Sequence, residues 1–310
     1  MLKQVIDVFE LLDDANINGG KVRQFFLEHG HERVEVKNIV SDKGSTDFIK
    51  IVVPGKSGKL RGGYSPTLGI IGRLGGIGAR PEKIGLVSDA DGAIAALSIA
   101  LKITEMAKKG DELFGDVIVS THVCPNAPTL EHKPVSFMGS PVDMKTMNEN
   151  EVDPSMDALI SIDTTKGNRI SNVRGFAITP IIKEGWILPI PDGVIDVYEV
   201  TTGRRANVLS ISTQDITPYG NGIYHINSIL QPSTATDASV MGVAITAETV
   251  VPGSATGASH EIDISEACTF CIEIAKSYGN MKLEFFNQNE FETLKSLYGS
   301  MKRLKGDGNS

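Results

Sequence analysis

Four residues with metal-binding side chains adjoin segments that the sequence predicts to be strands or helix starts. They are Asp89, His122, Asp163 and His260. Carboxylates and imidazoles are the ligands that zinc and similar divalent metals prefer. An aspartate at a helix N-terminus is also kept ionised by the helix dipole, as a metal ligand must be. The pattern indicates a metal site, with the alternative that each aspartate is a helix cap and each histidine a surface or core residue.

The segment from Lys83 to Pro128 must position two of these residues. In order, it predicts a strand at Ile84–Val87, an acidic turn, a long helix from Ala93 that closes at Gly110, and a buried strand at Val117–Val119. A strand, a helix and a strand of this length predict a parallel pair joined by a crossover. Asp89 would lie at the helix N-terminus and His122 at the carboxyl end of the next strand, the edge at which open α/β sheets build their sites.

Apolar periodicity predicts the remaining elements. Strands are predicted at Val34–Val40, Phe48–Val53, Ala158–Ile162, Phe176–Ile182, Trp186–Leu188 and Val208–Ser212, and helices at Met1–Asp13, Lys21–His29, Val194–Val200, Ile264–Tyr278 and Asn289–Leu304. The glycine-rich stretch Gly62–Gly78 predicts a loop. A dinucleotide fingerprint there would put its third glycine at Pro81, where no helix opens.

Composition excludes several classes of protein. A chain of 310 residues with 41% hydrophobic residues can bury a large core, and its net charge of −8 argues against nucleic acid or an anionic membrane as a partner. Three cysteines are too few for a disulfide scaffold, which favours a reducing cytoplasm. No export signal or membrane-spanning run is visible. The pair Cys268-x-x-Cys271 lies along the apolar side of a predicted helix, so core packing is favoured over redox chemistry.

Five short motifs, which lie between Asp47 and Tyr278, resemble signatures of the di-zinc aminopeptidase superfamily in the same order. They read SDADGAIAALSIAL, VIVSTHV, ALISIDTT, STATDASVMGVAI and ATGASHEIDIS. The chain is most similar to the cytoplasmic glutamyl and deblocking aminopeptidases, and to an uncharacterised bacterial and archaeal family near them. The resemblance implies a three-layer α/β/α sandwich with a mixed sheet, phosphorylase/hydrolase-like, over residues 46–310. Residues 1–45 would form an N-terminal helical segment packed outside it.

The resemblance also implies a ligand set. Asp89 matches the bridging aspartate, Asp163 a metal-binding aspartate after a strand, and His260 the histidine before the last long helix. His122 replaces the second of two paired glutamates and remains a good ligand. Zinc or another divalent metal such as manganese or cobalt is expected, with one ion rather than two as an alternative.

Two departures weaken the catalytic part of the resemblance. The first metal-binding histidine has no counterpart, and the paired glutamate that serves as general base falls on Thr121, which cannot accept a proton at neutral pH. Asp91 and Glu261, the carboxylates nearest in sequence to predicted ligands, are the candidates to replace the missing base. The geometry is unfavourable for both. Asp91 is two residues from Asp89 on a helix, Glu261 is adjacent to His260 in an extended segment, and side chains at these spacings point away from each other.

Two classes of function therefore stay open. One is a metal-dependent hydrolase that acts on a small peptide or acyl-amino substrate. The other is a non-catalytic descendant that binds a small ligand or serves an assembly. In both cases we expect a small-molecule or peptide partner. We also expect a homo-oligomer, since the C-terminal helix is amphipathic.

Overall fold

A computed structural model describes most of the chain. The described residues are 1–14, 16–73, 86–124, 127, 129–130, 137–167, 171–211, 229–251 and 259–302. All statements about contacts below refer to this part of the chain.

Helices and strands alternate along the described residues. The helices are α1 (Leu2–Leu12), α2 (Gly19–Glu28), α3 (Asp91–Lys108), α4 (Met144–Glu151), α5 (Asp192–Thr202), α6 (Glu261–Gly279) and α7 (Gln288–Tyr298). The strands are β1 (Val34–Ser41), β2 (Gly44–Val53), β3 (Leu68–Gly72), β4 (Val117–Val123), β5 (Thr129–Leu130), β6 (Phe137–Met138), β7 (Ala158–Thr164), β8 (Gly175–Ile178), β9 (Ile181–Lys183), β10 (Trp186–Leu188) and β11 (Ser239–Thr246). Short 3₁₀ helices lie at Lys59–Arg61, Ser88–Ala90 and Gln231–Thr234.

One mixed sheet organises the molecule. Its strand order is β1-β2-β4-β3-β7-β11-β9-β10, and β8 also pairs with β11. The four central strands, β4, β3, β7 and β11, are parallel to one another. Antiparallel strands flank them on both sides.

The two faces of this sheet are covered by different elements. On one face, residues such as Val119, Ile160 and Ile162 share a hydrophobic cluster with α1, α3 and α6. On the other face, Ile118 and Leu159 belong to a second cluster, and α4 and the 3₁₀ helix Gln231–Thr234 contact each other and the sheet. The expected three-layer α/β/α sandwich with a mixed sheet is confirmed.

The strand that precedes α3 differs from the prediction. It is β3, which lies in the glycine-rich stretch that was predicted to be a loop. Leu86 and Val87 are buried outside any strand, and residues 84–85 lie outside the described part of the chain. Glycine serves close packing here, because a Cβ at Gly69 would lie 2.3 Å from the sulfur of Met156. The predicted parallel pair around the helix is therefore formed by β3 and β4.

Two predicted elements are shorter than expected. The helix α7 ends at Tyr298 because Gly299 has a φ of +79°, and residues 303–310 lie outside the described part. The segment predicted as a strand from Val208 makes a single bridge, to Ile178, within its described residues. None of the described helices combines the length and the hydropathy that a membrane span needs.

The N-terminal segment contributes both helix and sheet. The helix α1 contacts α3 and α6, and β1 pairs with β2 from Val34↔Ile51 to Ser41↔Gly44. This pairing joins residues on both sides of the predicted boundary at 45/46. The division of the chain at that boundary stays a prediction.

Candidate functional site

The fold brings the residues predicted from the sequence to one edge of the sheet. Since β3, β4, β7 and β11 are parallel, their carboxyl ends share an edge. His122 is the penultimate residue of β4, and Asp163 is the penultimate residue of β7. Asp89 directly precedes α3, and His260 is the N-cap residue of α6. These four residues therefore adjoin the carboxyl edge of the sheet.

The same residues are divided between the two faces of the sheet. Side chains alternate along a strand, so His122 lies on the face of Ile118, and Asp163 on the face of Leu159. That face is covered by α4. Asp89 and His260 instead belong to the N-terminal ends of α3 and α6, which pack on the opposite face. Two separate polar clusters result, one on each face.

The first cluster surrounds Asp91 at the start of α3. Lys166 Nζ lies 2.6 Å from Asp91 Oδ2, and the side chains of both residues are 0% exposed. Ser259 Oγ donates a hydrogen bond of 2.5 Å to the other oxygen, Asp91 Oδ1. The cluster thus joins the loop after β7 to the N-terminal ends of both α3 and α6.

Burial is the largest influence on the charge of Asp91. It raises the pKa of this carboxyl to about 6, while the ammonium of Lys166 and the hydroxyl of Ser259 act in the opposite direction and Asp89 adds to the rise. At neutral pH the carboxylate is ionised and paired with Lys166. Each oxygen of the Asp91 carboxylate therefore already accepts a hydrogen bond, one from Lys166 and the other from Ser259.

Two glycines allow this close approach of α3 to the sheet. A Cβ at Gly92 would lie 2.3 Å from the carbonyl oxygen of Arg73 and 2.7 Å from that of Ile162. A Cβ at Gly72 would lie 2.3 Å from the carbonyl oxygen of Gly92. The first turn of α3 consequently rests directly on the ends of β3 and β7, which places Asp91 beside Lys166.

The second cluster lies under α4 and contains His122. Its Nδ1 is 2.6 Å from Glu151 Oε1, and the other carboxylate oxygen of Glu151 pairs with Arg73. Arg73 also donates a hydrogen bond of 3.2 Å to Asn148 Oδ1. Burial opposes the ionisation of Glu151, but Arg73 and His122 outweigh it and hold the pKa of Glu151 below its usual value.

Arg73 connects this second cluster to the end of β3. It directly follows β3, and its backbone N–H donates to the carbonyl of Ile162 at 2.8 Å, which extends the ladder with β7. In this register Arg73 falls between His122 and Asp163, on the strand that separates β4 from β7. An arginine therefore follows the strand that lies between those of two residues predicted as ligands of a cation.

Thr121 occupies the position of the missing general base. It is 1% exposed, and its hydroxyl donates a hydrogen bond of 2.9 Å to the carbonyl oxygen of Gly72. The hydroxyl thus links β4 to β3. Its side chain serves the structure of the sheet edge and carries no proton acceptor for water.

A cleft opens at the N-terminal end of α6. It has a volume of about 510 Å³ and is lined by residues that include Arg174, Glu248, His260, Glu261 and Asp263. The imidazole of His260 is 52% exposed, and its Nδ1 lies 3.4 Å from Asp263 Oδ2. The cleft is therefore accessible, and carboxylates are in the majority among its charged groups.

The ligand set itself stays a prediction. Among the described residues, no group of three or more histidine, cysteine, aspartate or glutamate side chains is arranged to hold a metal ion. Asp89 and Asp163 are 7% and 1% exposed. Residues 74–85 and 252–258, which precede Asp89 and His260 in the chain, lie outside the described part.

Sequence reasoning missed the two cations and their partners, Arg73, Lys166, Glu151 and Ser259. A signal for the cations was available, since Arg73 directly follows a buried strand and Lys166 comes two residues after another. The same positional rule selected the predicted ligands, but it was applied only to carboxylates and imidazoles.

Comparison with known proteins assigns the chain to a family. The model of a family described as "Protein of unknown function (DUF1177)" matches residues 37–308. The chain belongs to the DUF1177 family. No curated protein sequence matched this DUF1177 chain.

Solved structures of aminopeptidases share the fold of this DUF1177 chain. The LapA aminopeptidase of Legionella pneumophila superposes with a TM-score of 0.51 at 10% identity, covering 89% of this chain and 71% of that one. The cytosol aminopeptidase from Coxiella burnetii gives a TM-score of 0.50 at 12% identity, covering 91% of this chain and 70% of that one. At such identities the likeness establishes a hydrolase-like fold and no activity.

Proposed function

We propose that this protein is a hydrolase-like protein with a degenerate metal site that binds a small peptide or acyl-amino molecule at the carboxyl edge of its sheet. Aminopeptidase activity on ordinary peptides is weak or absent. This is the non-catalytic alternative of the two classes that the sequence left open, and it combines the aminopeptidase-like fold with the chemistry of the two polar clusters.

The hydrogen bond of Thr121 carries the proposal. Hydrolysis of an amide by metal-bound water needs a group that removes a proton from the water. At the position where the resemblance expects that group, the Thr121 hydroxyl is buried and donates to Gly72. Asp91, the nearest replacement, is engaged by Lys166 and Ser259.

The neighbouring clusters support a loss of metal binding. The Nδ1 of His122 is held by Glu151, whose charge is already balanced by Arg73. Each buried carboxylate in these two clusters thus has a cation from the chain itself. Engaged in this way, Asp91, Glu151 and His122 do not fit a centre of two metal ions, which needs ionised carboxylates free to ligate.

The properties of the cleft beside His260 favour the binding of a small ligand. Its volume of about 510 Å³ is in the range of small-molecule sites. Glu248, Glu261 and Asp263 would attract the amine of a peptide-like molecule, and Arg174 its carboxylate. Both charges of a small peptide therefore have a partner of opposite sign in the cleft.

Two measurements on the purified protein test this proposal. An aminoacyl-amide hydrolysis assay with zinc, cobalt and manganese added in turn should give little or no turnover. Calorimetry with a dipeptide and with an N-acetylated amino acid should detect binding that Arg174→Ala weakens. Lys145→Ala, which removes an exposed cation on α4, is the matched control. Robust turnover that Asp89→Asn abolishes, or binding insensitive to Arg174→Ala, would refute it.

The second candidate is a hydrolase that uses one metal ion. It is favoured by the placement of Asp89, His122, Asp163 and His260 at one edge of the sheet. Zinc, manganese or cobalt would supply a polarised water there, and Glu261 would be the remaining candidate base. Elemental analysis of protein purified without added metal separates the two candidates, because the second requires a stoichiometric ion.

A further inference from the structure

The backbone of Lys166 is held in place by hydrogen bonds to the chain around it. Lys166 follows β7, and its carbonyl oxygen accepts a hydrogen bond of 2.9 Å from the N–H of Val251. The adjacent Thr165 donates its N–H to the carbonyl of Ile245 at 2.9 Å. These two bonds continue the pairing of β7 with the segment of β11 and hold the lysine against the start of α3.

Several oxygen atoms surround this ammonium. Asp91 is fully buried, Asp89 lies close enough to influence it electrostatically, and the hydroxyl of Ser259 is bonded to it. An ionised carboxylate buried without a cation is strongly destabilising. Carboxylate and hydroxyl oxygens are also the donors that manganese and magnesium accept.

We infer that Lys166 is the resident cation of this site and replaces a metal ion at the start of α3. In the superfamily that the sequence resembles, a metal provides the positive charge beside the aspartate that Asp89 matches, two residues before Asp91. Here the ammonium provides it at 2.6 Å from Asp91. Removal of the ammonium should therefore create a requirement for a divalent metal. The inference rests on the proposed function in one respect only, that the metal site is degenerate.

The test compares thermal unfolding of three proteins with and without manganese. The wild-type protein should show the same Tm in manganese and in a chelator. Lys166→Ala leaves Asp91 unpaired and should lower the Tm by roughly 5–15 °C, a loss that manganese largely reverses. The double variant Asp91→Asn, Lys166→Ala removes both charges. It should unfold above the single variant in chelator and respond to manganese no more than the wild type does.

Each alternative result bears directly on the inference. The inference would be overturned if manganese raised the Tm of the wild-type protein and Asp91→Asn abolished this increase. It would also be overturned if manganese did not stabilise the Lys166→Ala variant. If Lys166→Ala is insoluble without metal, it should become soluble when purified in manganese, and insolubility in both conditions would also overturn it. Hydrolysis by the wild-type protein with no effect of manganese on its Tm would contradict the proposed function alone.

Discussion

Two buried carboxylates at the carboxyl edge, Asp91 and Glu151, are paired with basic side chains of the chain itself. Asp91 pairs with Lys166 on one face of the sheet, and Glu151 pairs with Arg73 and His122 on the other. Each of these side chains is at most 3% exposed. Such pairs are expensive to break, because the remaining partner keeps its charge without solvent.

Glu151→Gln tests this cost in the second cluster. The amide removes the counter-charge that Glu151 gives to the guanidinium of Arg73, so we expect a loss of about 3–5 kcal/mol in the free energy of unfolding. Urea denaturation followed by circular dichroism measures it.

Glu149→Gln on the same helix is the matched control. Glu149 is 59% exposed and lies 3.9 Å from Lys145, so its substitution should change the free energy of unfolding by less than about 0.5 kcal/mol. Equal effects of the two substitutions would mean that the pairing of Arg73 contributes nothing.

Among the secondary-structure elements, the contact between α3 and the sheet decides the geometry of the site. The first turn of α3 approaches the backbone of β3 and β7 at Gly92, where no side chain fits. This contact sets the depth at which Asp91 enters the core. The helix itself is predictable from its periodicity, whereas this depth depends on the neighbouring strands.

Gly92→Ala should therefore destabilise the protein by about 1–3 kcal/mol, because its Cβ would lie 2.3 Å from a carbonyl oxygen that belongs to the sheet. Gly193→Ala in α5 is the control, since the nearest atom to its Cβ would be 3.8 Å away. There we expect no loss, and a gain of up to about 1 kcal/mol from helix propensity. Chemical denaturation of both variants measures the difference, and a neutral Gly92→Ala would contradict the close contact.

Over the whole molecule, one hydrophobic cluster joins α1, α3 and α6 to one face of the sheet. Cys268 and Cys271 lie in this cluster, and Cys268 donates its thiol to the carbonyl of Ala95 at 3.5 Å. Burial raises the pKa of both thiols, and it raises that of Cys124 to about 12. The interpretation of the Cys-x-x-Cys pair as core packing is consistent with these surroundings.

All three thiols of the chain should accordingly resist a thiol reagent until the protein unfolds. We expect no labelling by dithionitrobenzoate in buffer at pH 8 within minutes, and three equivalents in denaturant, in a single transition that coincides with the loss of circular dichroism. Rapid labelling of one thiol in the native protein would show that its part of the core opens independently.

Assembly and cellular location remain predictions from the sequence. The amphipathic pattern of α7 suggested a homo-oligomer, and Phe291 on this helix is in fact buried against the chain's own core. Leu297 and Tyr298 are exposed by 67% and 70%. Sedimentation velocity of the full chain would decide the state of assembly.

The amino-acid sequence by itself determined the elements with strong local patterns. The long helix after Asp89, the strands that carry His122 and Asp163, and their meeting at one sheet edge all follow from periodicity and from the rule for parallel strands. The alternation of strands and helices could be predicted for the same reason, whereas the three-layer α/β/α class was implied by the resemblance to the aminopeptidases. Local hydrophobic spacing specifies which face of an element is buried, and this information is contained in short windows of sequence.

Only the tertiary structure decided which charges meet. Lys166 is 75 positions from Asp91, and Arg73 is 78 positions from Glu151, so no local spacing encodes either pair. The strand β3 was hidden in the same way, since its glycines are explained by the side chain of Met156 and the first turn of α3. Pairing across such distances depends on the register of β3 with β4 and β7, which is fixed by the packing of the whole sheet.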